Sequence, residues 1–285
     1  MIRRLGIALG VATAMASMAF AQGVPAPWIT AVKPFAIADN LYYVGTQGLS
    51  AYLIDTGDGL VLIDGTLEQN VPAIEAGIKA LGFKPGEIKL LLNSHAHFDH
   101  SAGLAKLKSL TGATLAASER DAPWLENGRY PGIDMPAFHA PPVKVDRRLK
   151  DGEIVRLGGV ALTANLTPGH TPGCTSWTFA VAVKGRPKTV IIHCSSSVAA
   201  NRLAPVEQYP GVVADYRRTF ARLAGLKADI FLAPHPEQFG LAAKRRKLEA
   251  GDAFAFVDPS ELARRNEASR SAFETELKRQ REAAG

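Results

Sequence analysis

The 285-residue chain has little cysteine, only Cys174 and Cys194. Two cysteines can form a disulfide in an oxidising compartment. The strand-like run after Cys174 and the one ending at Cys194 suggest a hairpin about Gly185-Arg186-Pro187. Regular pairing would then place Cys194 opposite a residue near Thr178, roughly four residues or ~13 Å from Cys174. Because a disulfide needs Cα atoms within about 7 Å, we expect two free thiols.

Aromatic residues are also sparse, at 7% of the chain, and none interrupts the dense basic run Lys244-Arg245-Arg246-Lys247. A nucleic-acid-binding surface should combine basic residues with interleaved aromatic ones. We therefore interpret the formal net charge of +6 as solvated helix faces, and we expect no nucleic-acid partner.

The apolar run from Leu5 to Phe20, which follows Arg3 and Arg4, is short for a membrane span, and polar sequence comes directly after it. Ala19-Phe20-Ala21 offers small residues at the positions that a signal peptidase reads. We predict a signal peptide over residues 1–21 and a single domain over residues 22–285, periplasmic or secreted, with no stable membrane association. A membrane anchor is the alternative.

No low-complexity tract or linker divides the remaining sequence. Helical spacing of apolar residues predicts helices, and alternating or continuous apolar runs predict strands. The hairpins fall into two groups with helices between them. We therefore predict an α/β fold, an αββα sandwich of two mixed β-sheets flanked by helices, rather than a doubly wound parallel sheet. The predicted strands are 41–44, 50–55, 60–64, 88–92, 113–117, 153–157, 160–166, 175–183, 189–193 and 229–233, and the predicted helices are 71–81, 104–110, 121–127, 212–224 and a tail from Pro259.

The segment His95-Ala96-His97-Phe98-Asp99-His100 puts four metal-binding side chains into six residues. It directly follows the predicted strand 88–92. Such a cluster is costly to bury unless a cation holds it. Two further histidines, His170 in Pro168-Gly169-His170-Thr171-Pro172-Gly173 and His235 in Ala233-Pro234-His235-Pro236, also follow strand-like runs.

These six side chains divide into two sets of three ligands. Three protein ligands for each ion leave positions open for water and substrate, as a catalytic zinc site requires. No thiolate is among them, which favours an open hydrolytic site. Any one histidine alone could be an ordinary hydrogen-bonded residue, but the dense spacing favours metal binding. We predict two zinc ions per chain, and Asp99 is also a candidate proton carrier to the leaving group. The two sets are His95, His97 and His170, and Asp99, His100 and His235.

The histidine cluster, Gly169-His170-Thr171 and Pro234-His235-Pro236 together resemble the metallo-β-lactamase fold superfamily, from about Trp28 to the tail. The superfamily includes thiolesterases, lactonases, nucleases and β-lactamases. Many of its hydrolases carry a metal-bridging Asp where this chain has Ile192-His193-Cys194-Ser195-Ser196-Ser197, which contains no carboxylate. Ser195 and Ser197 resemble subclass 3 of class B, which holds the substrate carboxylate with serines at this strand end.

The resemblance implies a binuclear zinc β-lactamase that opens the ring of penicillins, cephalosporins and carbapenems by a metal-bound hydroxide. Ser195 and Ser197 would bind the substrate, and Asn201 would assist the oxyanion. In another subclass a cysteine at this strand end ligates zinc, but those enzymes lack the histidine present here as His100, which argues against that role for Cys194. The alternative is a secreted metallohydrolase of the same fold with another ester, lactone or phosphodiester substrate. A zinc-storing protein is more remote. We expect a monomer whose partner is a small-molecule β-lactam.

Weaker expectations concern residues around the ligands. Asp64 either orients a ligand imidazole or simply ends its strand. His193 is expected to be a packed, hydrogen-bonded histidine. Tyr130 and Phe138 are candidates for lining the substrate cleft, and Trp28 either walls its opposite side or belongs to the core.

Overall fold

The computed structural model describes residues 23–130 and 136–284, so the predicted signal peptide lies outside the described residues. The described residues form a seven-stranded sheet in the order β1-β2-β3-β4-β5-β6-β7 and a five-stranded sheet in the order β12-β11-β10-β9-β8. The strands are β1 (Phe35–Ala38), β2 (Leu41–Tyr43), β3 (Tyr52–Asp55), β4 (Leu60–Ile63), β5 (Ile88–Leu92), β6 (Thr114–Ser118), β7 (Arg147–Leu149), β8 (Ile154–Leu157), β9 (Val160–Leu166), β10 (Thr175–Val183), β11 (Arg186–Ile192) and β12 (Ile230–Leu232).

Helices connect and cover these strands. Short 3₁₀ turns occur at Glu68–Asn70, Pro85–Glu87, Pro136–Phe138 and Pro236–Phe239. Among the residues that the structure describes, no helix combines the length and apolar character needed to cross a membrane. The α-helices are α1 (Ala26–Ile29), α2 (Val71–Ala80), α3 (Phe98–Ser101), α4 (Leu104–Thr111), α5 (Ala122–Asn127), α6 (Val212–Gly225), α7 (Leu241–Glu249) and α8 (Glu261–Ala284).

Both sheets are mixed, and their parallel strands end at a common edge. In the first sheet β4, β5, β6 and β7 are parallel, and Ile63 at the end of β4 pairs with Leu92 at the end of β5. In the second sheet β11 and β12 are parallel, and Ile192 pairs with Leu232 at their ends. The segments that leave these strand ends carry the candidate functional residues, as expected for a site on a rigid scaffold.

The main core lies between the two sheets. Tyr52 and Ile63 from the first sheet and Trp177 and Ile192 from the second are fully buried in one cluster. A second cluster fills the space between the first sheet and helices α2, α4 and α5, and α6, α7 and α8 add leucines to the core from the side of the second sheet. The predicted αββα sandwich is confirmed.

The expectation of two free thiols is wrong, because Cys174 and Cys194 form a disulfide with Cα atoms 5.7 Å apart. The β10–β11 hairpin turns at Lys184 and Gly185, whose φ angles of 50° and 72° are typical of a two-residue hairpin turn. The turn therefore begins one residue before the predicted turn at Gly185-Arg186-Pro187. Extending the observed register brings Cys194 opposite Thr175, the neighbour of Cys174.

Candidate metal centre

Three loops bring the six predicted ligands to the shared sheet edge. The chain leaves β5 into His95 and His97, and then forms the short helix α3, whose first turn contains Asp99 and His100. His170 lies in the loop between β9 and β10, and His235 follows β12. The backbone N–H of Thr175 donates to the carbonyl of Ser94 at 2.8 Å, which ties the second sheet to the His95 segment.

One group of ligands consists of three imidazoles facing one another. The ring centroids of His95, His97 and His170 are 4.5 to 4.8 Å apart. His95 is 1% exposed, and its Nε2 atom is buried with no hydrogen-bond partner among the described residues. An unpartnered buried nitrogen is costly. A metal ion bound between the three rings would remove that cost.

The second group converges more tightly. Nε2 of His100 and Nε2 of His235 are 3.1 Å apart, and Oδ2 of Asp99 lies 3.2 Å from the first and 3.4 Å from the second. Tetrahedral zinc with ligands at about 2.1 Å separates its ligand atoms by about 3.4 Å. The three atoms therefore have the spacing of zinc ligands. Within each group all the ligand atoms lie within 4.8 Å of one another, so the residues present fit a pair of zinc ions.

Hydrogen bonds on the far side of three rings orient the nitrogens that face the candidate metal sites. Nδ1 of His170 donates to the carbonyl of Ser197 at 2.8 Å, and Nδ1 of His235 donates to the carbonyl of Gly48 at 3.2 Å. Because a carbonyl only accepts, the proton resides on Nδ1 and the Nε2 lone pair is left for a metal. Nδ1 of His95 lies 2.9 Å from the hydroxyl of Ser94.

Asp64 supports this arrangement through Ser94. The Ser94 hydroxyl donates to Oδ2 of Asp64 at 2.7 Å, and the Ser94 backbone N–H donates to Oδ1 at 2.7 Å. Because the Ser94 hydroxyl hydrogen is used in this way, the hydroxyl oxygen accepts a hydrogen bond from Nδ1 of His95. This again leaves Nε2 of His95 for a metal. Burial raises the pKa of Asp64. Of the two roles considered for Asp64, the geometry favours orientation of a ligand ring.

The electrostatics of the site prepare its ligands for a cation. Burial and the neighbouring imidazoles lower the pKa values of His95 and His97 well below the usual range, and burial lowers the pKa of His170 to about 4. Burial alone would raise the pKa of Asp99, but the charges and hydrogen bonds of His100 and His235 outweigh it and hold that pKa well below normal. At neutral pH the three-histidine group therefore offers neutral imidazoles and Asp99 offers an ionised carboxylate, the protonation states that zinc binding requires. Burial alone would lower the pKa of His235, but the hydrogen bond and charge of Asp99 outweigh it and raise that pKa, so a metal ion at the second group would compete with a proton there.

The predicted substrate-binding serines lie beside the three-histidine group, since the Ser197 carbonyl accepts a hydrogen bond from Nδ1 of His170. The Ser195 hydroxyl oxygen accepts the N–H of Ser197 at 3.2 Å, and the Ser197 hydroxyl oxygen accepts the N–H of Ala199 at 3.1 Å. Neither hydroxyl hydrogen has an acceptor among the described residues. Ser195 is buried and Ser197 is exposed.

Asn201 holds the His170 loop. Its amide nitrogen lies 2.9 Å from the carbonyl of His170 and 3.2 Å from both the carbonyl of Gly169 and the hydroxyl of Tyr216. Two amide hydrogens facing three acceptors leave none for a substrate in this conformation. The predicted assistance to an oxyanion stays a prediction, and the observed contacts are those of a positioning residue.

Aromatic rings lie next to the ligands. The Trp28 ring centroid is 5.8 Å from that of His235 and 6.2 Å from that of Phe98, which in turn contacts Phe138 at 5.3 Å. Trp28 is half-buried, so it borders the site rather than belonging to the core. Tyr130 packs edge-on against His97 at 4.2 Å and donates its hydroxyl to the His170 carbonyl at 2.8 Å.

Two further buried polar residues lie near the candidate ligands, and only the first was predicted from the sequence. His193 is hydrogen-bonded as expected, with Nδ1 3.0 Å from the hydroxyl of Ser176 and Nε2 2.8 Å from the hydroxyl of Ser196. Asp121 was not predicted, and its carboxylate accepts three hydrogen bonds from the loops that carry the candidate ligands. An acidic residue at the start of a predicted helix was its only signal.

Comparison with known proteins agrees with this geometry. A sequence model of the metallo-beta-lactamase superfamily matches residues 45–182. The crystal structure of BJP-1, a subclass B3 metallo-beta-lactamase of Bradyrhizobium japonicum, matches with a TM-score of 0.87 and 44% sequence identity, covering 90% of this chain and 97% of that one. The chain belongs to the metallo-β-lactamase superfamily. Its likeness to subclass 3, inferred from the Ser-x-Ser segment, is confirmed by that structure.

Curated relatives that match by sequence are more distant. A probable metallo-hydrolase of Burkholderia pseudomallei is 28% identical over 156 residues, which make up 49% of this chain and 50% of the relative. The chain thus spans half the length of that relative. A hydroxyacylglutathione hydrolase of Acidiphilium cryptum is 26% identical over 227 residues, covering 80% of this chain and 73% of the relative. Superfamily membership and the two ligand groups identify the chain as a metallohydrolase.

Proposed function

We propose that this metallohydrolase is a binuclear zinc β-lactamase that opens the ring of penicillins, cephalosporins and carbapenems. The observation that carries the proposal is the juxtaposition of two three-ligand groups with a Ser-x-Ser strand end that contains no carboxylate. The 44% identity to BJP-1 across nearly its whole length supports the same activity.

His95, His97 and His170 would hold one zinc ion, and Asp99, His100 and His235 the other. When bound, the two ions supply a nucleophile that is ionised near neutral pH and positive charge to stabilise the tetrahedral intermediate and the departing nitrogen. The protein's task is to fix the ligands before substrate arrives, which the carbonyls of Ser197 and Gly48 do for His170 and His235.

Ser195 and Ser197 would hydrogen-bond the carboxylate that most β-lactams carry. Each hydroxyl oxygen already accepts a backbone N–H, so the hydroxyl hydrogen is the part left to donate. A carboxylate only accepts, and bonds to a charged acceptor are the stronger kind. This polarity matches the substrate group, whose carboxylate would then lie beside the three-histidine site.

Asp99 is the proposed proton carrier to the ring nitrogen released by bond cleavage. Its depressed pKa keeps it ionised between turnovers, so a proton that it takes up transiently would be passed on readily. Asn201 is the third residue of the proposed substrate site. It would affect the substrate indirectly, through its hydrogen bond to the His170 loop.

An alternative substrate class is favoured by the curated relatives, since the match to a hydroxyacylglutathione hydrolase covers 80% of this chain. An enzyme of the same fold acting on a thiolester, another ester, a lactone or a phosphodiester would use the same ligands. The Ser-x-Ser strand end, which lacks a carboxylate between the two groups, favours the β-lactam.

We also propose that the protein is exported and acts in the periplasm or outside the cell as a monomer, and that its signal ends at residue 21. The disulfide Cys174–Cys194 supports an oxidising compartment. Amino-terminal sequencing of the protein recovered from the periplasm or medium would test the cleavage site, and Met1 at the amino terminus would contradict it.

The decisive assay is hydrolysis of a carbapenem by zinc-loaded protein, followed by ultraviolet absorbance with and without a chelator. Thiolester, lactone and phosphodiester substrates run in parallel. We expect carbapenem turnover that the chelator abolishes. An intact carbapenem with turnover of one of the other substrates would overturn the β-lactamase proposal in favour of the alternative.

A further inference from the structure

A single buried carboxylate joins the two loops that carry the three-histidine group. Asp121 is 1% exposed. Its Oδ2 atom accepts the backbone N–H of Ala96 at 3.0 Å and the hydroxyl of Thr171 at 2.7 Å, and its Oδ1 atom accepts the backbone N–H of Gly173 at 2.7 Å. All three donors belong to segments that contain predicted metal ligands.

The positions of the donors link Asp121 to every ligand of that group. Ala96 lies between His95 and His97, and Thr171 follows His170. The two oxygens of one planar carboxylate are a fixed distance apart. Bonds from both loops to this group therefore set the spacing between the backbone that carries two histidines and the backbone that carries the third.

The Asp121 side chain bonds to these loops instead of capping its own helix. Asp121 occupies the N-cap position of α5, yet its side chain makes no capping hydrogen bond to that helix, and a cap is typically worth about 1 kcal/mol. Burial raises the pKa of Asp121 to about 6. The loop also approaches closely, because a Cβ added to Gly173 would lie 2.7 Å from Cγ of Asp121.

We propose that Asp121 is a positioning residue that pre-forms the three-histidine zinc site by fixing the distance between its two loops. The inference rests on the proposed zinc centre. It assigns to Asp121 no contact with substrate or metal, because its effect passes through Ala96, Thr171 and Gly173.

Asp121→Asn isolates this role because it preserves shape. Two backbone N–H groups face opposite oxygens of the carboxylate, so in either orientation the new amide NH₂ faces one of them. One backbone donor, Ala96 or Gly173, then loses its acceptor. Thr171→Val is a milder change that removes a single hydrogen bond and keeps the side-chain volume. Asp215→Asn is the matched control, since Asp215 is also 1% exposed but pairs with Arg120 and Arg218.

The experiment measures zinc affinity by competition with a chromophoric chelator, the absorption spectrum after Co²⁺ substitution, and urea unfolding in a metal chelator. For Asp121→Asn we expect one of the two zinc affinities to fall about 10- to 100-fold, with an altered Co²⁺ spectrum. Thr171→Val should weaken the same affinity by less. Asp215→Asn should destabilise the apo-protein and leave both affinities and the spectrum unchanged.

The outcomes separate this inference from the proposed function. Wild-type zinc affinities and Co²⁺ spectra in both Asp121→Asn and Thr171→Val would overturn the positioning role alone. A wild-type chain that binds no zinc would overturn the zinc centre and the positioning role together. If Asp121→Asn does not fold, Thr171→Val decides, and an unchanged affinity in that variant refutes the inference.

Discussion

The disulfide Cys174–Cys194 should contribute a large part of the stability of the fold. It ties the start of β10, which follows the His170 loop, to the end of β11, which leads into Ser195. Its cysteines are 20 residues apart in sequence. In the chain-entropy view, a loop of that length in the unfolded state corresponds to about 3 kcal/mol of stabilisation. Net stabilities of domains are roughly 5 to 15 kcal/mol, so the cross-link is a substantial fraction.

The test compares wild type with the Cys174→Ala/Cys194→Ala variant by urea unfolding, with a chelator present so that bound metal does not contribute. We expect the free energy of unfolding to fall by about 3 kcal/mol or slightly more, because two fully buried sulfur atoms are also removed. Wild-type protein in a reductant keeps both sulfurs and serves as the control. A loss below about 1 kcal/mol in both samples would refute the loop-entropy reasoning.

Other predictions concern the substrate and pH. Replacing Ser195 and Ser197 together with Ala should raise KM for carboxylate-bearing β-lactams about 100-fold or more, since each of the two lost bonds to a charged group is worth roughly 1.5 to 3 kcal/mol. Steady-state kinetics on the acid and its methyl ester check this, and an equal effect on both would contradict it. Burial lowers the pKa of His193 from 6.5 to about 4. The stability that the neutral, buried imidazole contributes is therefore fully present above pH 6.5. As the pH falls from 6.5 to 4, the free energy of unfolding should decline by about 3 kcal/mol. Urea titrations between pH 4 and 7 should show a flatter profile for His193→Gln, and parallel profiles would count against the assignment.

Elements with strong apolar periodicity could be predicted from the sequence. Strands such as β5 and β9 and helix α6 appear close to their expected bounds, because burial of an apolar face dominates local preference there. The short edge strands β1 (Phe35–Ala38) and β7 (Arg147–Leu149) were not predicted. The run Arg147-Arg148-Leu149 has little apolar character, and its pairing with β6 depends on tertiary context.

The two groups of candidate ligands were predictable because zinc chemistry restricts residue types to a recognisable set at close spacing. The disulfide was not, since a shift of the hairpin turn to Lys184 and Gly185 moves Cys194 along its partner strand, and sequence alone does not fix that register. Asp121 was missed for a similar reason. Two of its three partners, Ala96 and Gly173, are distant in sequence and use only backbone N–H groups, which leave no pattern in the side chains.

The most direct test of the zinc centre is the metal content of pure, folded protein, measured by elemental analysis together with calorimetric titration of zinc into the chelator-treated chain. Six side chains arranged as two groups of three predict two zinc ions per chain, falling to one in a His235→Ala variant. No bound transition metal and no uptake on titration would contradict the account.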